Sequence, residues 1–203
     1  WYRGVAGLTL RDADLAIRSF DRCVSMLPGE RAPKLALAFA LERAGHDPSF
    51  WYETVWRTDH AYVSAAFGLA RAGRLAALDE VPSSSSHRVA AQLALVAAAA
   101  RKDPASLDPA ELVAASARLD QLPDLDPRRH RKLTAEILRA ALTWLRGNQP
   151  PPGLTIGGTP FHERGIRKRL ESLYRELAGA APSREERHAL VDLANTVRPR
   201  TWL

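Results

Sequence analysis

The side chains of this chain that could do covalent or metal chemistry are one cysteine and six histidines. A thiol becomes a nucleophile only where cations or a helix N-terminus favour the thiolate, and a zinc ion needs three or four convergent ligands. Cys23 instead lies at a small-residue position in a helical pattern, where a cysteine packs and is inert. We therefore predict no catalytic residue, no metal site and no cofactor in this chain. The histidines, which have no metal-ligand spacing such as HExxH, are His46, His60, His87, His130, His162 and His188.

Two short segments have a composition typical of anion-binding or acid-base sites. Ile156–Thr159, IGGT, precedes a predicted helix, and the free N–H groups of a helix start attract phosphate. The segment lacks the lysine and the preceding strand of a phosphate-binding loop, so we interpret it as a flexible hinge. The run SREERH, residues 183–188, is interpreted as a capped first helical turn, because Ser183 and Glu186 have the spacing of a capping box.

The charge balance leaves a second class of function open. The chain has 29 Lys and Arg against 23 Asp and Glu, a formal net charge of +6. The densest basic runs are DPRRHRK, residues 126–132, and ERGIRKR, residues 163–169. Aromatic residues are not interleaved with these runs, so the stacking platform of a single-strand binder is missing. Nucleic acid is thus an unfavoured partner, but a basic module that binds nucleic acid or another acidic partner remains the alternative function.

Composition indicates a folded, soluble protein. Of the 203 residues 46% are hydrophobic and 26% are charged, which is ordinary for a globular domain. The longest apolar run, Val89–Ala100, is too short to span a bilayer core of about 30 Å, so we predict no membrane contact. A single cysteine excludes an internal disulfide framework and suits the cytoplasm. Since the sequence opens with Trp1, we expect it to be part of a longer polypeptide.

Apolar residues recur at intervals of three and four almost throughout, which predicts an all-α fold. The first 29 residues match the tetratricopeptide repeat (TPR), a unit of about 34 residues in which two helices pack through small and aromatic side chains. Phe20 is predicted to fill the space between those helices. The repeat-packing positions in this unit are Gly4, Ala16, Phe20, Cys23 and Pro28.

Further units follow with less regular spacing. Tyr52 and Gly68 are the packing positions predicted in the second and third repeats. The third repeat has almost no turn between its helices, so either Gly73 makes a very tight turn or the two helices fuse. The predicted repeats are at about 1–29, 30–60, 61–82 and 83–123. They are followed by a long helix at 126–147, a Pro/Gly linker at 148–159, and a helical pair at 160–203 that caps the same domain.

One face of such a stack is predicted to be a protein-binding groove. Alignment of the repeats places apolar and aromatic residues on the concave face and leaves out the Lys and Asn that grip a C-terminal carboxylate. We therefore expect an apolar helix, an extended peptide or a second copy of the chain as the ligand. Burial of several of these residues between helices is the alternative. The predicted groove residues are Tyr2, Val5, Leu35, Phe39, Tyr62, Ala65 and Leu69.

Longer stretches of the chain resemble a known family. They include WYRGVAGL, SMLPGERAPKLALAFALERAG, VWRTDHAYVSAAFGLAR, LTAEILRAALTWL and ALVDLANTVRPRTWL. Together they resemble, in order from Trp1 to Leu203, the C-terminal tetratricopeptide region of the PknG-like serine/threonine protein kinases of actinobacteria. The resemblance implies a parent chain with a redox-sensing module and a kinase domain, to which ATP and Mg²⁺ binding would belong.

The resemblance also implies what this region does. It is associated in that family with kinase stability, homodimer contacts and substrate selection. The Gly-rich loop, the strand lysine and the HRD and DFG elements of phosphoryl transfer are missing here, so no catalysis carries over. We accordingly expect a right-handed TPR-like solenoid of antiparallel helix pairs with degenerate C-terminal capping helices. Its expected function is a non-catalytic interaction scaffold whose partners are a protein or peptide, the parent kinase domain or a second copy.

Overall fold

The computed structural model describes residues 1–122, 125–150 and 152–199, and within these ranges the chain is almost entirely helical. The predicted all-α class is confirmed. Three predicted features lie partly outside the described ranges: the end of the fourth repeat at Pro123, the linker at Pro151 and the end of the C-terminal pair at residues 200–203. The helices are α1 Tyr2–Thr9, α2 Ala13–Met26, α3 Arg31–Arg43, α4 Ser49–Thr58, α5 Val63–Arg71, α6 Arg88–Ala100, α7 Pro109–Asp120, α8 Pro127–Trp144, α9 Glu163–Gly179 and α10 Arg184–Val197. The described ranges also contain two 3-10 helices, Leu75–Leu78 and Pro104–Ser106, and two strands, β1 Thr155–Ile156 and β2 Thr159–Pro160.

Side-chain caps fix several helix starts. Asp108 accepts a hydrogen bond from the Ala110 N–H at 2.8 Å, and Asp126 accepts one from the Arg129 N–H at 2.8 Å. In both cases proline occupies the first helical turn, where its missing N–H costs nothing. Ser183 accepts from the Glu186 N–H at 3.1 Å, as the SREERH segment predicts. None of the helices in the described ranges is both long and apolar enough to cross a membrane.

The packing divides the chain into two compact units, Trp1–Ala91 and Gln92–Leu203. The division falls inside α6, and therefore inside the repeat predicted at 83–123. The boundaries predicted from sequence do not include this division.

In the first unit, each helix from α1 to α5 packs against the next one along the chain, and α3 also contacts α5. Phe20 is 1% exposed and packs with Ala16 and Val24 in the interior. A Cβ on Gly4 would lie 2.6 Å from the Phe20 ring, so the close approach of α1 to α2 requires glycine there.

Two of the predicted repeat-packing positions differ from expectation. Cys23 is only half-buried and Val24, the next residue, belongs to the core instead. The buried residues of α2 are spaced by four, and a shift of one residue turns a side chain by about 100°. Pro28 is exposed at the turn after α2, where it ends the helix without packing.

The third predicted repeat closes through Gly73. This glycine has a φ of +87°, a left-handed conformation that favours glycine, and α5 ends just before it. The second helix is reduced to the 3-10 turn Leu75–Leu78, and Leu78 and Val81 are buried at 0% and 1% exposure. The tight turn is therefore what the structure shows, and the fused-helix alternative is wrong.

In the second unit, α7 packs on α8, α8 on α9 and α9 on α10. The 148–159 segment is only in part the linker that its composition predicts. β1 and β2 pair antiparallel through a two-residue turn at Gly157 and Gly158, whose φ angles are +55° and +75°. Positive φ angles at both central residues are typical of two-residue β-hairpin turns. Ile156 is 2% exposed and the Gly157 N–H donates to Ser116 Oγ at 2.9 Å, so this turn is packed and is not a free hinge.

Candidate protein-binding groove

A cavity of about 690 Å³ opens on the first unit. Its walls come from alternate helices. Helix α1 contributes Val5 and Leu8, together with Trp1 at its N-terminus. Helix α3 contributes Ala32, Leu35, Ala36 and Phe39. Helix α5 contributes Val63, Ser64, Phe67 and Arg71, together with Tyr62 at its N-terminus. We refer to this cavity as the α1–α3–α5 groove.

Helical periodicity explains why these side chains share a wall. On α3 the four lining residues are spaced by three, one and three, which places them on one stripe of the helix. Residues of α2 and α4 reach the groove only at its base, where Phe20 and Tyr52 are 1% and 2% exposed. The first helix of each predicted pair thus forms the groove, and the second helix supports it.

The groove leaves apolar side chains in water. Val5 is 41% exposed, Phe39 is 43% exposed and Trp1 is 49% exposed. Exposed apolar residues are ordinary when scattered singly, but a contiguous concave set is typical of an interaction site. Peptide-binding grooves use such apolar pockets to hold anchor side chains.

Four of the seven predicted groove residues line this cavity: Val5, Leu35, Phe39 and Tyr62. Tyr2 is 87% exposed but lies outside the lining. The other two assignments are corrected: Ala65 and Leu69 are 0% and 3% exposed and belong to the packed interior. Because α5 carries apolar residues on most of its sides, its sequence does not indicate which side faces the groove.

Several lining residues were missed by sequence reasoning. Ala32 and Ala36 share the stripe of Leu35 and Phe39, and Leu8 shares that of Val5, so helical spacing alone could have added them. Arg71 and His87 come from the end of α5 and from the segment before α6. The repeat pattern did not indicate that these two residues line the groove.

Two lining residues of the groove, Tyr52 and Arg71, belong to a polar network with Glu42. Tyr52 Oη donates to Glu42 Oε2 at 2.6 Å, and Arg71 Nη2 donates to the same oxygen at 2.9 Å. Arg71 Nε donates to the other carboxylate oxygen, so the guanidinium holds Glu42 in a bidentate pair. The network joins α3, α4 and α5 through one residue from each.

The network fixes the protonation states of its members. The Arg71 hydrogen bonds are the largest cause that holds the pKa of Glu42 below its usual value. Burial is the largest cause that raises the pKa of Tyr52, and the hydrogen bond to Glu42 is the second. The hydroxyl of Tyr52 therefore stays protonated and donates. The Glu42 hydrogen bond raises the pKa of Arg71 in turn. The guanidinium of Arg71, paired with Glu42, therefore borders a mostly apolar groove.

The rim at Tyr62 carries a second cation. The Arg31 guanidinium carbon lies 5.6 Å from the centre of the Tyr62 ring, within the range of a cation–π contact. Arg31 Nη1 is also 3.3 Å from Asp59 Oδ2. These contacts hold the Tyr62 ring at the groove edge.

Three of the histidines make structural contacts in the described part of the chain. His60 stacks on Trp56 with ring centroids 4.2 Å apart, His130 Nε2 is 3.1 Å from Asp120 Oδ1, and His162 Nδ1 accepts from the Gly165 N–H at 2.9 Å. In the described ranges no three His, Cys, Asp or Glu side chains gather as a metal site would require.

Comparison with known proteins places these features in a family. Residues 1–201 match the family described as "Protein kinase G tetratricopeptide repeat". The chain is 39% identical, over 98% of its length, to the serine/threonine-protein kinase PknG of Mycolicibacterium smegmatis. It is 38% identical, over its full length, to that of Mycobacterium leprae. It spans only 27% and 28% of those two relatives. The predicted resemblance is confirmed: this chain belongs to the protein kinase G tetratricopeptide repeat family.

Proposed function

We propose that this chain is the non-catalytic scaffold region of a PknG-like serine/threonine protein kinase and that the α1–α3–α5 groove docks protein segments for the attached kinase domain. The observation that carries the proposal is the groove itself, an exposed apolar cavity of about 690 Å³ built from alternate helices. Family membership supports the link to a kinase.

The proposed architecture is a right-handed stack of antiparallel helix pairs in the first unit. Short connections support it, because α1 and α2 are separated by only residues 10–12 and α2 and α3 by residues 27–30. Such connections join antiparallel neighbours. The shared groove of α1, α3 and α5 is what repeated pairs produce when the first helix of each pair faces the same side.

Among the roles considered, we favour docking of a protein substrate over homodimer contact or support of the kinase fold. Phe39 and Val5 expose apolar surface, while charged Arg71 borders the same groove. The expected occupant is a segment with apolar anchor side chains. ATP and Mg²⁺ would bind the kinase domain of the parent, and the scaffold would act in the cytoplasm.

The test compares two exposed phenylalanines in the parent kinase. Phe39 is 43% exposed and lines the groove, whereas Phe50 is 67% exposed on α4 and does not line it. Phe39→Asp should raise the KM for a folded protein substrate and leave kcat for a short peptide substrate unchanged, because the short peptide meets only the kinase domain. Phe50→Asp is the matched control and should change neither constant.

Sedimentation of the same variants separates the remaining roles. If Phe39→Asp dissociates a dimer and leaves the protein-substrate KM unchanged, the groove is a contact between copies and the docking proposal is wrong. If Phe39→Asp and Phe50→Asp behave alike in both measurements, the groove has no role in either.

A further inference from the structure

Two carboxylates in the second unit each lie between two cations. Glu186 Oε1 accepts from Arg128 Nη2 at 2.6 Å and from Lys132 Nζ at 3.2 Å. Glu176 Oε2 accepts from Arg131 Nε at 3.0 Å, and Glu176 Oε1 is 3.6 Å from Arg169 Nη1. We call these six residues the basic cluster. Since four cations share two carboxylates, the cluster carries a net positive charge.

The cluster retains hydrogen-bond donors that point to a further anionic ligand. A guanidinium has five N–H donors, and the described contacts of Arg131 use only its Nε. The side chains remain accessible, with 38% of Arg131 and 48% of Lys132 exposed. Residues from α8, α9 and α10 contribute, so the cluster is held by packed helices.

We propose that the basic cluster binds an acidic segment of a protein, a run of Asp and Glu side chains. Carboxylates form bidentate, directional bonds with arginine, and single charges spaced along a peptide match cations spaced along a helix. This site is separate from the α1–α3–α5 groove and does not depend on the function proposed for it.

Nucleic acid fits the cluster less well. Its phosphates carry one charge per about 1.7 Å of duplex, a denser array than four cations and two carboxylates match. Binding of single strands also relies on stacking of bases on aromatic rings. Among the described aromatic residues of this unit, Phe161 and Tyr174 are 3% and 4% exposed, and the half-buried Trp144 packs edge-on against Phe161. None of them offers an open face for stacking.

The test titrates the full chain into a labelled oligoglutamate peptide and follows fluorescence anisotropy at low and at physiological ionic strength. The double variant Glu176→Gln/Glu186→Gln frees the four cations and should bind about two- to fivefold more tightly. The circular dichroism spectrum of the double variant should match that of the wild type, so that the gain of affinity is measured on the folded chain. Arg131→Gln should weaken binding by a similar factor.

Arg164→Gln is the matched control. Arg164 is exposed on α9 and lies about 140° around the helix from Arg169. Arg164→Gln removes the same charge as Arg131→Gln but at a distance from the cluster, so it should leave the affinity unchanged. The proposal is overturned if the double variant does not bind more tightly, if Arg164→Gln weakens binding as much as Arg131→Gln, or if no binding occurs at low salt. Tighter binding of a single-stranded oligonucleotide of equal charge would assign the cluster to nucleic acid instead.

Discussion

The ring of Tyr52 occupies the space that a side chain on Gly68 would need. A Cβ built on Gly68 would lie 2.5 Å from the Tyr52 ring atoms, and that ring is itself 2% exposed. The contact brings α4 and α5 together beneath the groove. The atoms in contact are at the hydroxyl end of the ring, and Glu42 accepts the hydrogen bond of that hydroxyl.

Gly68→Ala should destabilise the fold by about 1–3 kcal/mol, because the buried ring cannot move aside without disturbing its packing. Urea denaturation followed by circular dichroism measures the change. Gly29→Ala is the control, since a Cβ at Gly29 meets nothing within 4 Å. If Gly68→Ala/Tyr52→Ala loses as much stability as the two single losses added together, the two residues do not interact in this way.

This contact shows which part of the packing was predictable from sequence. Gly68 and Tyr52 stand at repeat positions where a small residue and a ring are expected, and so do Gly4 and Phe20. The spacing of a repeat identifies such pairs because a glycine in a helix has few other reasons to be there. Identification of the groove stripe on α3 through Leu35 and Phe39 succeeded for the same reason, since helical spacing fixes one face.

Other parts were not predictable by these means. Periodicity does not identify the buried face of a helix as uniformly apolar as α5. Ala65 and Leu69 were therefore assigned to the groove although they are buried. Two strands of two residues are too short to show alternation, so only the Gly157-Gly158 pair could have indicated the hairpin. Arg71 meets Glu42 from 29 residues away, and such a partner is set by tertiary packing and not by local pattern.

Phe20→Ala should lower the free energy of unfolding by about 3–5 kcal/mol, because it removes a fully buried ring and leaves a cavity between α1 and α2. Equilibrium denaturation gives the free energy of unfolding for the comparison. Phe50→Ala, at an aromatic side chain that is 67% exposed, should change stability by no more than about 0.5 kcal/mol. Equal losses in the two variants would contradict the packing described for Phe20.

Acid should weaken the network at Glu42. The pKa of this carboxyl is lowered in the folded protein from its ordinary value of 4.5, chiefly by hydrogen bonding to Arg71. A lowered folded pKa stabilises the fold above the unfolded value, and that contribution is lost as the pH falls through the folded pKa. The melting temperature measured between about pH 6 and pH 3 should therefore fall more steeply for the wild-type chain than for Glu42→Gln. Parallel curves would show that Glu42 is not linked to stability.

The hairpin turn makes a separate prediction for the second unit. Gly158 has a φ of +75° and open space around it. Gly158→Ala should therefore lower the free energy of unfolding by about 1–2 kcal/mol through backbone strain alone. Gly158→Asn should lose less, because asparagine tolerates the left-handed region. Thermal melts followed by circular dichroism rank the two variants. Equal stability of the alanine variant and the wild type would contradict the turn geometry.

Site-specific photocrosslinking tests most directly whether the α1–α3–α5 groove docks a protein. A photoreactive phenylalanine analogue is placed at Phe39, or at Phe50 as the control, in the parent kinase, which is then irradiated with its purified protein substrate. The account predicts a crosslink from position 39 to one segment of the substrate and none from position 50. Equal crosslinking from both positions, or crosslinks from position 39 only to a second kinase chain, would contradict it.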